Sequence, residues 1–139
     1  MNPRSATEPA LLSLLDLASQ AALHAYAPYS GFRVGAALRL SSGEIVTGAN
    51  VENVSYGFTI CAERSAVSRA VSDFGPEIHI EAVAVANLNG ASSPPCGACL
   101  QVLSEFILPD APVIFSIPDG ERVVTFRELL PWAFEMKAK

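Results

Sequence analysis

The chain has 139 residues, half of them apolar, enough for a single domain (1–139) with one core. Its net charge is −5 and its pI about 4.9, with no Lys/Arg cluster, which excludes the basic surface that a polynucleotide partner requires and points to a small, uncharged substrate. No apolar run approaches about 18 residues, the start Met1-Asn2-Pro3-Arg4 has no apolar signal core, and the three cysteines are an odd number; neither a membrane span nor a disulfide framework is expected, and a cytoplasmic setting is.

In chain order, Thr7 is an expected N-cap for a helix over residues 8–25, with Glu8 and Pro9 suited to its first turn. His24 falls near its end, where a histidine is dipole-friendly. Ala27 to Gly31 is a loop, residues 32–40 a strand, Ser41-Ser42-Gly43 a hairpin turn, and residues 44–50 the partner strand. Small residues at Gly35, Ala36 and Ala37 predict close packing against that strand. Residues 51–59 are irregular and polar, a candidate for substrate contacts. A helix from Ile60 stops at Gly75-Pro76. Residues 78–86 form a strand whose second half is apolar throughout, as burial on both faces demands. Residues 87–95 form a loop that feeds a helix over 96–107. A strand over 112–117, a tight turn at Asp119-Gly120 and a short strand at Val123-Val124 follow. Thr125 and Glu128 form a capping box for a short helix that Pro131 interrupts. The order α-β-β-α-β-α-β-β-α predicts a mixed sheet with helices on both faces, and a parallel pairing across the 96–107 helix. Surplus apolar surface is expected in subunit contacts.

All three cysteines lie in two stretches, Cys61-Ala62-Glu63 and Pro95-Cys96-Gly97-Ala98-Cys99. Cys96 and Cys99, three apart, share a helix face and can bind one metal. Three thiolates form a plausible zinc set that leaves a fourth position open for water. In a regular helix residues two apart point about 200° apart, so Cys61 must sit at the irregular helix start if Glu63 is to approach that water. Glu63 is then a proton carrier beside the metal and not a ligand. Three thiolates on a dication leave one net negative charge. Helix N-termini, together with Arg64 bonded to a ligand sulfur, are the candidates to offset it; on position alone Arg64 could equally be a solvated helix residue.

These stretches resemble the small homo-oligomeric cytidine deaminases that act on free nucleosides. The resemblance rests on Phe32-Arg33-Val34-Gly35-Ala36, Thr47-Gly48-Ala49-Asn50-Val51-Glu52-Asn53, Ser55-Tyr56-Gly57, Cys61-Ala62-Glu63-Arg64, Ser93-Pro94-Pro95-Cys96-Gly97-Ala98-Cys99 and Glu128-Leu129-Leu130-Pro131-Trp132-Ala133-Phe134, and covers nearly the whole chain. It implies a three-layer α/β/α domain with a five-stranded mixed sheet. It also implies one zinc per chain on Cys61, Cys96 and Cys99, with hydroxide attacking C4 of cytidine or deoxycytidine and Glu63 moving the protons. Ala62 would hold the base through its backbone, Phe32 would stack on it, and Asn50 and Glu52 would bind the 3′-hydroxyl. Arg64 would bond to ligand sulfurs. Tyr56 would reach a neighbouring subunit's pocket and Phe134 would help to close it, within a homotetramer whose active sites are shared. Val54 and Leu100 depart from the usual pattern, and Val54 is expected to crowd the pocket edge.

Other readings account for fewer of these residues. A redox dithiol would want an aromatic neighbour, which Pro95-Cys96-Gly97-Ala98-Cys99 lacks, and core thiols have no reason to flank prolines or a carboxylate. A structural zinc site would want a fourth ligand, and His24 and His79 are poorly placed. A guanine or tRNA-adenosine deaminase usually has His in place of Cys61, and the tRNA enzymes need a basic surface. A blasticidin-type deaminase is expected to lack the Asn50-Val51-Glu52-Asn53 contacts. A non-catalytic zinc scaffold has no need of Glu63.

Overall fold

The computed structural model describes residues 8–136; the expected Thr7 cap lies outside them. Five strands, β1 (Val34–Leu40), β2 (Ile45–Ala49), β3 (Ile80–Asn87), β4 (Pro112–Ile117) and β5 (Gly120–Thr125), form one sheet in the order β2-β1-β3-β4-β5. Only β3 and β4 pair in parallel; the other neighbours are antiparallel. Helix α1 (Pro9–Ala22) covers one face, and α2 (Ala62–Phe74), α3 (Gly97–Leu103) and α4 (Phe126–Leu129) the other. The mixed sheet between two helical layers is as the residue order predicts.

Strand alternation divides the core between the two faces. Leu38, Val83, Val85, Val113 and Phe115 pack with Ala66, Val67 and Leu103 of α2 and α3. The alternate positions, Ala37, Ala82, Ala84, Ala86 and Ile114, pack with Leu11, Leu14 and Ala18 of α1. The α1 face is therefore paved mainly with alanine, and the helix lies close to it. A β-carbon on Gly35 would sit 1.9 Å from the Ala18 carbonyl oxygen. The same closeness recurs on the other face, where a β-carbon on Gly48 would sit 2.5 Å from Ala66 N and 2.7 Å from Ala62 O. Gly48 thus lets β2 touch the backbone of the first turns of α2.

Several element ends differ from the sequence pattern, two of them where a bond to a residue distant in sequence wins. Helix α1 stops at Ala22, after which His24 N bonds to Ala21 O (2.9 Å) and Tyr26 N to Asn50 O (2.9 Å), drawing the chain toward the sheet. Helix α3 ends at Leu103 and not at Ile107. The Ser104 hydroxyl bonds back to Gln101 O (2.6 Å), and Phe106 O accepts from Ile80 N (2.9 Å), so this stretch turns to meet β3. Strand β5 is longer than the Val123-Val124 pair suggests, running from Gly120 to Thr125. The stop at Gly75 (φ +92°) and the capping box at Thr125 and Glu128 are present as expected.

Candidate metal centre and substrate cleft

Cys61 and Cys96 are the N-cap residues of α2 and α3. Their extended backbones (ψ 155° and 168°) turn the thiols away from the helical rotation, and Cys99 follows one turn into α3. The three sulfurs lie within 4.8 Å of one another, the only such cluster of His, Cys, Asp or Glu among the described residues. Tetrahedral zinc with bonds of ~2.3 Å needs sulfurs about 3.8 Å apart, a spacing compatible with this cluster. Cys99 is buried, Cys61 half-buried and Cys96 exposed. The donor set fits zinc: three soft thiols, with no fourth side-chain ligand in the cluster.

One of the thiols, Cys61, is electrostatically prepared for a cation. Hydrogen bonding from Cys99, and then the Arg64 guanidinium, lower the Cys61 thiol to about 5. Cys99 is correspondingly raised, by its bond to Cys61 and by burial. Arg64 Nη2 lies 3.6 Å from Cys61 Sγ and 3.3 Å from Thr59 O, so one guanidinium spans the sulfur and the loop before it. Glu63 is 4% exposed. Burial, reinforced by the Cys61 thiolate, pushes its carboxyl up to about 7.

A cleft of about 250 Å³ opens over these groups. Its lining falls by sequence into two walls, Phe32, Val34 and Asn50 around the start of β1 and Ser92, Ser93, Pro94 and Cys96 before α3, together with Thr59, Cys61, Ala62, Glu63 and Val85. It lies beside the start of β1 and the end of β3, where both thiol-bearing helices begin. Asn50 contributes to the wall while holding it: Oδ1 accepts from Val34 N (2.9 Å) and Nδ2 donates to Phe32 O (2.8 Å). Glu52 is not part of the lining. Its carboxylate accepts from Tyr29 N (3.0 Å), Ser30 N (3.1 Å) and the Ser30 hydroxyl, which lowers its pKa. Tyr56, on a short 3₁₀ turn (Tyr56–Phe58), is 81% exposed, and Phe134 is 69% exposed; neither lines the cleft of its own chain. Val54 is exposed and away from the cleft, and Leu100 is buried in the core.

Three residues of the 87–95 loop organise the second wall and carry no signal beyond the known tendency of Asn and Ser to bond backbone. Asn87 Nδ2 donates to Ala91 O (2.6 Å) and to Ser93 Oγ, and its Oδ1 accepts from Asn89 N (2.9 Å) and Ala91 N (3.1 Å). Ser93, buried, is also tied to β4 through its N–H to Ser116 O (3.0 Å). Asn89 reaches across to the first wall.

Three thiols around one point, with a buried carboxylate two residues from one of them at the helix starts of an α/β/α sandwich, are the layout of a zinc deaminase centre. A sequence model for the cytidine and deoxycytidylate deaminase zinc-binding region matches residues 10–115. The chain is 44% identical over 122 residues to a cytidine deaminase of Halalkalibacterium halodurans, spanning 87% of this chain and 91% of that one. It is 45% identical over 121 residues to a cytidine deaminase of Mycobacterium tuberculosis, spanning 84% of each. The crystal structure of a Burkholderia pseudomallei cytidine deaminase superposes with a TM-score of 0.80 at 41% identity, covering 88% of this chain and 98% of that one. The chain belongs to the cytidine and deoxycytidylate deaminase family of zinc-binding enzymes.

Proposed function

We propose that this protein hydrolyses cytidine and deoxycytidine to uridine and deoxyuridine, with Glu63 as the proton carrier. The observation that carries the proposal is the buried Glu63 carboxyl in the lining of a cleft beside three convergent thiols. Cys61, Cys96 and Cys99 would hold the zinc, which when bound supplies the Lewis acidity that makes water nucleophilic at neutral pH. Glu63 accepts the proton from the attacking water as its oxygen bonds to C4, and passes that proton to ring N3. It then takes the proton of the new C4 hydroxyl and delivers it to the amino group, which leaves as ammonia while C4=O forms. A carboxyl raised to about 7 suits a group that must both take and give a proton near neutrality.

Phe32 and the Ala62 backbone flank the space for the base. Asn50 retains one amide hydrogen, and Glu52 Oε2 retains a lone pair, for the ribose 3′-hydroxyl. A required free 3′-hydroxyl accords with the acidic, polynucleotide-averse surface. Arg64 drains charge from the thiolate set through Cys61. The exposure of Tyr56 and Phe134 supports a homotetramer in which Tyr56 enters a neighbour's cleft and Phe134 closes it. The described residues share one sheet between two helical layers, which supports a single domain. The cytoplasmic setting rests on the odd cysteine count of the sequence; no described helix is long and apolar enough to cross a membrane. Substituting Glu63→Ala tests the reading. Zinc content and fold should persist while turnover falls by roughly two to four orders of magnitude; retained turnover would refute the proton-carrier role.

A further inference from the structure

The segment 31–34 leads into β1, whose first residue is Val34, and contains Phe32, yet the strand ladders do not reach its first three residues. One backbone bond continues the β3 side, Leu88 N to Arg33 O (3.0 Å), and side-chain amides hold other groups of the segment. On the β3 side, Asn89 Oδ1 accepts from Arg33 N (3.0 Å) and its Nδ2 donates to Gly31 O (3.1 Å). On the β2 side, Asn50 Oδ1 accepts from Val34 N (2.9 Å) and its Nδ2 donates to Phe32 O (2.8 Å). Each asparagine therefore uses its amide as a strand residue would use its peptide groups, bonding a carbonyl and the N–H two residues on. The Phe32 N–H is bonded as well, to Ser30 Oγ (2.9 Å). Every backbone polar group from Gly31 O to Val34 N is thus held.

Asn50 sits in a stretch already tied to the nucleoside. Asn89 does not; it lies in the loop that leads to Cys96. Through Asn87 Oδ1, which accepts from Asn89 N and Ala91 N, that loop is itself fixed, and it supplies Ser92, Ser93 and Pro94 to the other wall of the cleft. Asn89 and the Leu88 N–H, which donates to Arg33 O (3.0 Å), are hence the direct bonds between the segment that carries Phe32 and the loop that leads to Cys96.

We propose that Asn89 is a positioning residue that clamps the Phe32 segment and sets the spacing of the two cleft walls. It touches neither the thiols nor Glu63, so its action falls on nucleoside binding and not on proton transfer. The proposal rests on the deaminase reading for its kinetic consequence and on geometry alone for the clamp, and the experiment separates the two.

The full-length, zinc-loaded Asn89→Ala variant is compared with the parent in three ways. Backbone amide hydrogen exchange should quicken at Arg33, whose N–H loses its acceptor, with the central amides of β3 unchanged. Zinc content should be unchanged. KM for cytidine should rise about three- to tenfold with kcat within about twofold, the scale of one or two net hydrogen bonds. Asn89→Asp keeps the acceptor for Arg33 N but faces the Gly31 carbonyl with a carboxylate; it should restore slow exchange at Arg33 and leave part of the KM defect. Unchanged Arg33 exchange in Asn89→Ala would overturn the clamp, and a fall in kcat or zinc content at unchanged KM would overturn its assignment to binding. If the parent protein fails to deaminate cytidine, the functional reading fails, while faster Arg33 exchange would still support the clamp and unchanged exchange would still overturn it.

Discussion

At the residue scale the centre depends on a carboxylic acid kept at the edge of ionisation and a thiol kept past it. For Glu63 the sign of the linkage follows from its raised value. The folded group titrates at about 7, the unfolded one at 4.5. As pH rises through this window the unfolded chain ionises first, so Glu63 withdraws stability from the metal-free protein between about pH 4.5 and 7. Below the window the penalty is absent, and above it the penalty is complete, on the order of 3 kcal/mol for a group this buried. Metal-free Glu63→Gln should therefore gain on the parent by that order between pH 4.5 and 8, read from urea midpoints; a gap independent of pH would contradict the burial argument. Arg64 acts on the other partner. Arg64→Ala removes the guanidinium from Cys61 and should weaken zinc affinity by about 10- to 100-fold in a chelator competition, with the fold retained. Equal affinity would show that the arginine serves only its bond to Thr59 O.

At the element scale, the height of α2 over the sheet decides where Cys61 and Glu63 stand. Gly48 permits that height, because a side chain there would meet the backbone of Ala62 and Ala66. Gly35 plays the same part for α1 on the opposite face, far from the thiols in the layering. Gly48→Ala and Gly35→Ala should each cost more than about 2 kcal/mol in stability. Only the former should also lower zinc affinity; equal zinc affinity in the folded Gly48→Ala protein would contradict a role for this contact in the site. Much of this layer was legible beforehand. Strand alternation, the Gly75-Pro76 stop, the capping box and the Cys96/Cys99 spacing are local patterns with local causes. The early end of α1, the shortened α3 and the amide clamps on 31–34 are not local. Each depends on a bond to a residue distant in sequence, such as Tyr26 to Asn50 or Asn89 to Arg33, and no periodicity records it. The bonds of Glu52 to Tyr29 N and Ser30 N are likewise set by loop geometry and leave no local pattern in the sequence.

At the scale of the whole molecule, one chain leaves its cleft open and large apolar groups on its surface. Trp132 is 93% exposed, Tyr56 and Phe134 are not far behind, and Val54 and Phe58 extend the patch of exposed side chains on the 51–60 loop. The proposed shared-site homotetramer would account for both facts. Dilution to a demonstrably monomeric sample should abolish turnover, and activity in such a sample would contradict the sharing of Tyr56. The central claim, however, is the reaction itself. The most direct measurement is the ultraviolet absorbance of cytidine with the purified protein, as isolated, after zinc removal and after zinc is returned. Loss of the cytidine band with uridine formed, abolished by stripping and restored by zinc, is the predicted result. No change with cytidine or deoxycytidine, in a sample holding one zinc per chain, would contradict it.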